Sequence, residues 1–159
     1  GDGRTEIVLL GYFINTAALA RHLKTEAPDL IPNMLVVDYN LKNHPAIREH
    51  GLRVVYGDVS NPETLRHFGI LEAKVVVSTI SDSFLRGTSN ARLLGMVRTM
   101  NPAARFVSTG DNQATADRLV ELGAFLCVCP PEAAASDYIQ AIRKGLAAAE
   151  TADVDRADR

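Results

Sequence analysis

The sequence predicts an α/β domain built on a doubly wound parallel sheet of six strands, with helices on both faces. Three observations predict it. Strand-like apolar runs alternate with runs of helical period, and no helical run follows another without a strand between them, the pattern of a parallel sheet covered on both sides. The strand EIVLL runs into Gly11 and an amphipathic helix, and a second strand, MLVV, ends at Asp38. The stretch 54–82, VVYGDVSNPETLRHFGILEAKVVVSTISD, then packs strand, turn, helix and strand into one unit with acids at its turns. Together these read as the two parts of a Rossmann-like nucleotide-binding unit.

In chain order, strands are expected at about 6–11, 34–38, 53–56, 74–79, 105–109 and 124–129. Helices fill the gaps at 15–27, 45–50, 62–69, about 85–100, 113–122 and 131–149. The punctuation agrees: Asn61 precedes Pro62 as cap and first-turn proline, while Gly51, Gly69 and Gly123 stand where helices should stop. Residues 1–4 read as a loose end or cloning remnant, 5–149 as a single domain, and 150–159, ETADVDRADR from Glu150, as a polar tail without a packing face.

Composition bounds the function. A chain of 159 residues with 47% hydrophobic content supports one well-buried domain. A charged fraction of 23% and a net charge of −2 provide no basic field for phosphate backbones, so nucleic acid is not an expected partner. No apolar run approaches the roughly 20 residues that span a bilayer, and no leader precedes the first strand, so this stretch reads as soluble and cytosolic. Cys127 and Cys129 lie two apart and are expected as buried thiols, too close to bridge within a strand. His22, His44, His50 and His67 share no ligand spacing, so no metal site is expected.

In such a sheet the ligand crevice lies at the carboxyl ends of the strands, where strand order reverses. Four loops therefore matter: 11–16, 38–42, 57–61 and 78–86. The first reads GYFINT. Gly11 lets the strand turn sharply into a helix whose free N–H groups attract an anion. Asn15 or Thr16 can cap that helix. The second and third glycines of a G-x-G-x-x-G fingerprint are replaced by Phe13 and Thr16. Two readings follow: Phe13 is a core or lid residue of a fold that no longer takes a dinucleotide, or the site takes a mononucleotide such as AMP, its one phosphate at the helix start.

Asp38 ends the second strand, where the ribose hydroxyls of an adenosine would lie, and an acid there disfavours the 2′-phosphate of NADP. It stands 27 positions after Gly11, against about 20 in compact units; the proline-containing stretch APDLIPN accounts for the excess. A helix cap or solvated turn acid is the competing reading. Asp58, in GDVSNP, would reach the adenine edge or place the Val59 N–H there; it reads equally as a turn residue. In the fourth loop Arg86 could neutralise a phosphate from across the crevice, or pair with Asp82 at helical i, i+4 spacing.

These residues carry a resemblance. GYxxxxxxLA, VVDYN, VVYGDVSNPETLRHFGI, AKVVVSTISD, NPAARFVSTGDN and LGAFLCVCP, over about residues 5–130, resemble the TrkA-N or RCK nucleotide-binding domain of potassium channels and cation:proton antiporters, most of all the carboxyl-terminal domain of Kef-type antiporters. The resemblance implies a ligand-sensing domain on the cytoplasmic side of the membrane, its nucleotide changing the activity of a membrane part in the same chain or a separate subunit. It implies a homodimer paired through the helices after the fourth and fifth strands, with the last helix crossing to the partner. Carried over by position, the site falls on Gly11, Tyr12, Phe13, Ile14, Asn15, Asp38, Tyr39, Asp58, Val59, Thr79 and Ile80. The ligand implied is an adenine nucleotide, of the AMP/ATP class or NAD(H).

Short-chain dehydrogenases share the GDV-S/T-x-P pattern but need a Tyr with Lys four residues later. The residues four after Tyr12, Tyr39, Tyr56 and Tyr138 are Thr16, Asn43, Ser60 and Ile142. The expectation is therefore a regulatory domain and not an enzyme, with a ligand-free dimerisation module as the alternative.

Overall fold

The computed structural model describes residues 4–159, so the expectation for Gly1, Asp2 and Gly3 lies outside the described residues. Six parallel strands form one sheet in the order β3-β2-β1-β4-β5-β6. They are β1 (Ile7–Leu10), β2 (Met34–Asp38), β3 (Arg53–Tyr56), β4 (Val75–Val77), β5 (Arg105–Thr109) and β6 (Leu126–Val128). The helices are α1 (Ile14–Glu26), α2 (His44–Glu49), α3 (Pro62–His67), α4 (Asn90–Met100), α5 (Gln113–Glu121) and α6 (Pro130–Ala157). The APDLIPN stretch becomes a 3-10 helix, Pro28–Asn33, and a shorter one, Leu41–Asn43, follows β2. Chain order reverses at β1, which pairs with β2 on one side and β4 on the other.

The core divides into two clusters because successive side chains of a strand face opposite ways. Val8 and Leu10 join Val37, Val76 and Phe106 beneath Leu65 of α3, Leu93, Leu94 and Val97 of α4, and Leu119 of α5. Leu9 and Val36 face the other way, onto Ala20 and Leu23 of α1 and Ile47 of α2. Covered on both faces, β1 and β2 are apolar at nearly every position. Asn61 accepts from the Glu63 N–H at 3.0 Å as the expected cap of α3, and Gly51, Gly69 and Gly123 follow α2, α3 and α5 in the left-handed region.

Three local expectations are corrected. The fourth helix begins at Asn90, not near residue 85. Ser89 caps it through the Arg92 N–H at 3.2 Å, and the Asp82 carboxylate accepts from the Asn90 backbone N–H at 2.8 Å and its Nδ2 at 3.0 Å. That use of Asp82 replaces the helical pair with Arg86. The last helix does not stop at 149: α6 continues through the supposed polar tail to Ala157, since its Ala, Glu and Arg residues have high helix propensity even without a packing face. Cys127 and Cys129 are free and only partly buried. Their strand is at the sheet edge and ends at Val128, so strand alternation does not reach Cys129. Cys127 packs on the first cluster, and burial, with Cys129 and Asp82 nearby, pushes its thiol pKa up.

At 28 residues α6 is about 42 Å long, yet none of its residues is buried. Tyr138, Ile139, Ile142 and Leu146 stand 54–70% exposed, as do Leu126 and Val128 of β6 above 50%. Among the described residues no helix is long and apolar enough to cross a membrane.

Candidate functional site

At the carboxyl ends of β1 to β4 lies a cavity of about 530 Å³, walled by the loops after those four strands. Of the residues expected at a site, Gly11, Tyr12, Phe13, Ile14, Asp38, Tyr39, Asp58, Val59 and Ile80 line it. Asn15 and Thr79 do not. They hold the wall from behind: Asn15 Nδ2 donates to the Thr79 carbonyl at 3.0 Å, and the Thr79 hydroxyl bonds that of Thr16.

The first loop is shaped by Gly11, whose φ is +86° and where an added Cβ would lie 2.6 Å from Ile80 Cδ1. Only glycine takes that turn without strain. Phe13 is the N-cap of α1 and has no side-chain acceptor; its own N–H donates to Thr16 Oγ1 at 3.1 Å. Thr16 is fully buried, so the place that in the fingerprint demands glycine is filled by a side chain whose hydroxyl is satisfied by Thr79, just past β4. Of the two expected capping residues Thr16 therefore serves and Asn15 does not. The Phe13 ring is 41% exposed, which excludes a core role. It leans on Phe84, with ring centroids 5.0 Å apart.

Asp38 is 3% exposed and its Oδ2 accepts from Asn43 Nδ2 at 3.0 Å. Burial raises its carboxyl pKa above 3.8, opposed by Asn43, His44 and the backbone N–H groups of Asn40 and Tyr12. The His44 ring nitrogen bonds the Asp38 carbonyl at 3.0 Å and so fixes the backbone below the carboxylate. Nothing in this set acts as a helix cap for Asp38: its surroundings orient the carboxylate at the cavity wall. Asp58 is exposed, and its Oδ1 accepts from the Ser60 N–H at 2.9 Å and Ser60 Oγ at 2.7 Å. The expected turn role is thus present, while Val59 beside it is buried against the cavity.

The fourth loop contributes more than the sequence reading gave it. Ser83, Phe84, Leu85 and Arg86 all line the cavity, and Asn90 behind them is fully buried. Asn90 Nδ2 donates to the Ile80 carbonyl at 2.9 Å and points toward that of Thr109 at 3.3 Å. Phe84, Asn43 and Asn90 were missed. Phe84 falls in the fourth loop, one position before the expected helix, and the signal that this helix starts later is Gly87 followed by the capping residue Ser89.

A parallel sheet that reverses order at β1, with its cavity at that reversal, defines a doubly wound, Rossmann-like domain. The TrkA-N domain model matches residues 7–130, and the chain belongs to that family. The glutathione-regulated potassium-efflux system protein KefC of Cronobacter sakazakii is 28% identical over 75 residues, which is 47% of this chain and 12% of that protein. The chain thus spans a small part of the curated relative it matches. Among solved structures, the TrkA-N domain of the inner membrane protein YbaL from Escherichia coli superposes with a TM-score of 0.70 at 21% identity, covering 88% of this chain and 98% of that one. The GsuK channel bound to NAD gives 0.63 at 23% identity, over 80% of this chain and 22% of that one. The Kef C-terminal domain of Shewanella denitrificans in its AMP-bound form gives 0.57 at 16% identity, over 79% and 70%. These likenesses establish a common fold.

Proposed function

We propose that this domain senses an adenine nucleotide, of the AMP/ATP class or NAD(H), and without chemistry biases the state of an attached membrane protein. That protein would be a monovalent-cation (K+ or Na+)/proton antiporter or a K+ channel, and the domain would lie on the cytoplasmic side of the membrane. The observation that carries the reading is the buried Asp38 carboxylate on the cavity wall, oriented by Asn43 beside the N-terminus of α1. In this reading Asp38 accepts from the ribose hydroxyls, Tyr39 and Val59 flank the base, and the free N–H groups at the start of α1 meet a phosphate. Family membership supports it, as do two fold relatives, the GsuK channel bound to NAD and the Kef C-terminal domain of Shewanella denitrificans in its AMP-bound form.

Regulation would follow from differential affinity, a ligand across the loops after β1 to β3 favouring one arrangement of paired domains. A homodimer is supported by α6, whose large apolar residues Tyr138, Ile139, Ile142 and Leu146 stay exposed in their own chain. The same helix supports the second reading, a ligand-free assembly module. Thermal unfolding with AMP, ATP, NAD and NADH in turn separates the two. A ligand at about 100 times its Kd stabilises by roughly 2.7 kcal/mol, a rise of a few degrees or more in Tm. An unchanged Tm with all four favours the assembly module.

A further inference from the structure

The cavity ends abruptly on one side. Among the described residues that line it, none comes from the loops after β5 or β6. A dinucleotide on a doubly wound sheet places its pyrophosphate at the first helix and its second nucleoside beyond the switch point, over those later strands. Here that passage is crossed by the segment after β4.

The segment is tied at its base and fixed along its length. Asp82 and Asn90, its two ends, are bonded at 2.8 and 3.0 Å. The N–H groups of Phe84 and Leu85 both donate to the Ser81 carbonyl, at 3.0 and 3.2 Å. Leu85 packs on the first core cluster. Phe84 reaches Phe13 of the first loop, and at Gly87 an added Cβ would lie 3.6 Å from Ser60 Oγ of the third loop. The segment is therefore a strap touching both neighbouring loops across the cavity. Arg86 lines the cavity from this strap, and among the described residues its side chain makes no ion pair or hydrogen bond. Arg86 is exposed at the cavity wall, its guanidinium is available to an anion, and its planar fork suits phosphate oxygens.

Resting on the nucleotide-site reading above, we propose that Phe84 and Arg86 are the specificity-determining residues of this cavity and select a nucleoside monophosphate. Arg86 pairs with the single phosphate at the start of α1. The Phe13–Phe84 wall closes the route that the second half of a dinucleotide would take.

Direct titration with adenosine, AMP and NAD of the wild type, Arg86→Gln and Phe84→Ala tests this. All three changed or partnering side chains are exposed, so the variants should fold, as circular dichroism would verify. Arg86→Gln should weaken AMP by about tenfold and leave adenosine within about twofold, the loss of one charge-assisted bond. Phe84→Ala should strengthen NAD relative to AMP by about tenfold over the wild-type ratio. Equal losses for adenosine and AMP in Arg86→Gln, or an NAD preference unchanged in Phe84→Ala, would overturn the strap's role and leave the nucleotide site standing. Failure of adenosine and AMP to bind the wild type would overturn both.

Discussion

At Asp38 a carboxylate is kept in surroundings that disfavour its charge. Burial raises its pKa above 3.8 despite Asn43 and His44, so the folded state holds the proton more tightly than the unfolded chain. By linkage its contribution to stability is greatest below the unfolded value and is lost as pH rises through the raised folded value. Asp38→Asn should therefore be more stable than the wild type at pH 7, the gap closing as pH falls below 3.8, read by chemical denaturation across pH. A gap that stays constant with pH would contradict the assignment. Binding runs the opposite way: adenosine affinity should weaken on acidification before the ordinary carboxylate range is reached, because the ionised carboxylate accepts from the ribose hydroxyls more strongly than the protonated acid. Phe13 is the second residue with a defined expectation. Phe13→Gly removes one ring of the Phe13–Phe84 pair and should raise NAD affinity relative to AMP in parallel titrations; an unchanged ratio would mean that Phe13 does not obstruct a pyrophosphate. The place of Asp38 at the end of β2 and on the cavity wall is legible in the sequence, because it closes a strand at a fixed point in a common unit. The Phe13–Phe84 contact was not, since 71 positions separate the two rings and only the folded sheet brings their loops together.

Elements follow the same division. β1, β2 and β3 were placed to within a residue or two because their apolar runs stop at Gly11, Asp38 and Gly57. The start of α4 was misjudged: Leu85 and Arg86 fit a helical period, but the Asp82–Asn90 bonds, formed across the turn, hold that stretch as a strap. Local hydrogen bonding by Asp and Asn overrides weak periodicity in this way. The end of α6 was misjudged for the opposite reason, an absence of competing structure around an alanine-rich run. Gly11 ties element to site. Gly11→Ala forces a positive φ on a Cβ and crowds Ile80, so it should destabilise by roughly 1–3 kcal/mol in urea unfolding and weaken any nucleotide. Wild-type stability in that variant would remove the turn from the argument.

Across the whole molecule, one half of the sheet is built round a cavity and the other presents apolar surface. Tyr138, Ile139, Ile142 and Leu146 of α6 and Leu126 and Val128 of β6 are all exposed. An uncovered apolar surface of this kind is the place to test for pairing. If α6 pairs two copies, Ile142→Asp with Leu146→Asp should shift a dimer to monomer in analytical ultracentrifugation without changing nucleotide affinity; a monomeric wild type would contradict pairing. The alternation of strand and helix makes the doubly wound sheet readable in the sequence, whereas the exposure of α6 follows there only from the family resemblance, because its residues alone differ little from those of a packed helix.

The central claim is that an adenine nucleotide binds at the ends of β1 to β3 through Asp38. Calorimetric titration of the domain with AMP and NAD, repeated on Asp38→Ala, tests it most directly. Saturable binding of at least one of them is expected, weakened by about tenfold or more in the variant. Binding that Asp38→Ala leaves unchanged, or no binding to the wild type, would contradict it.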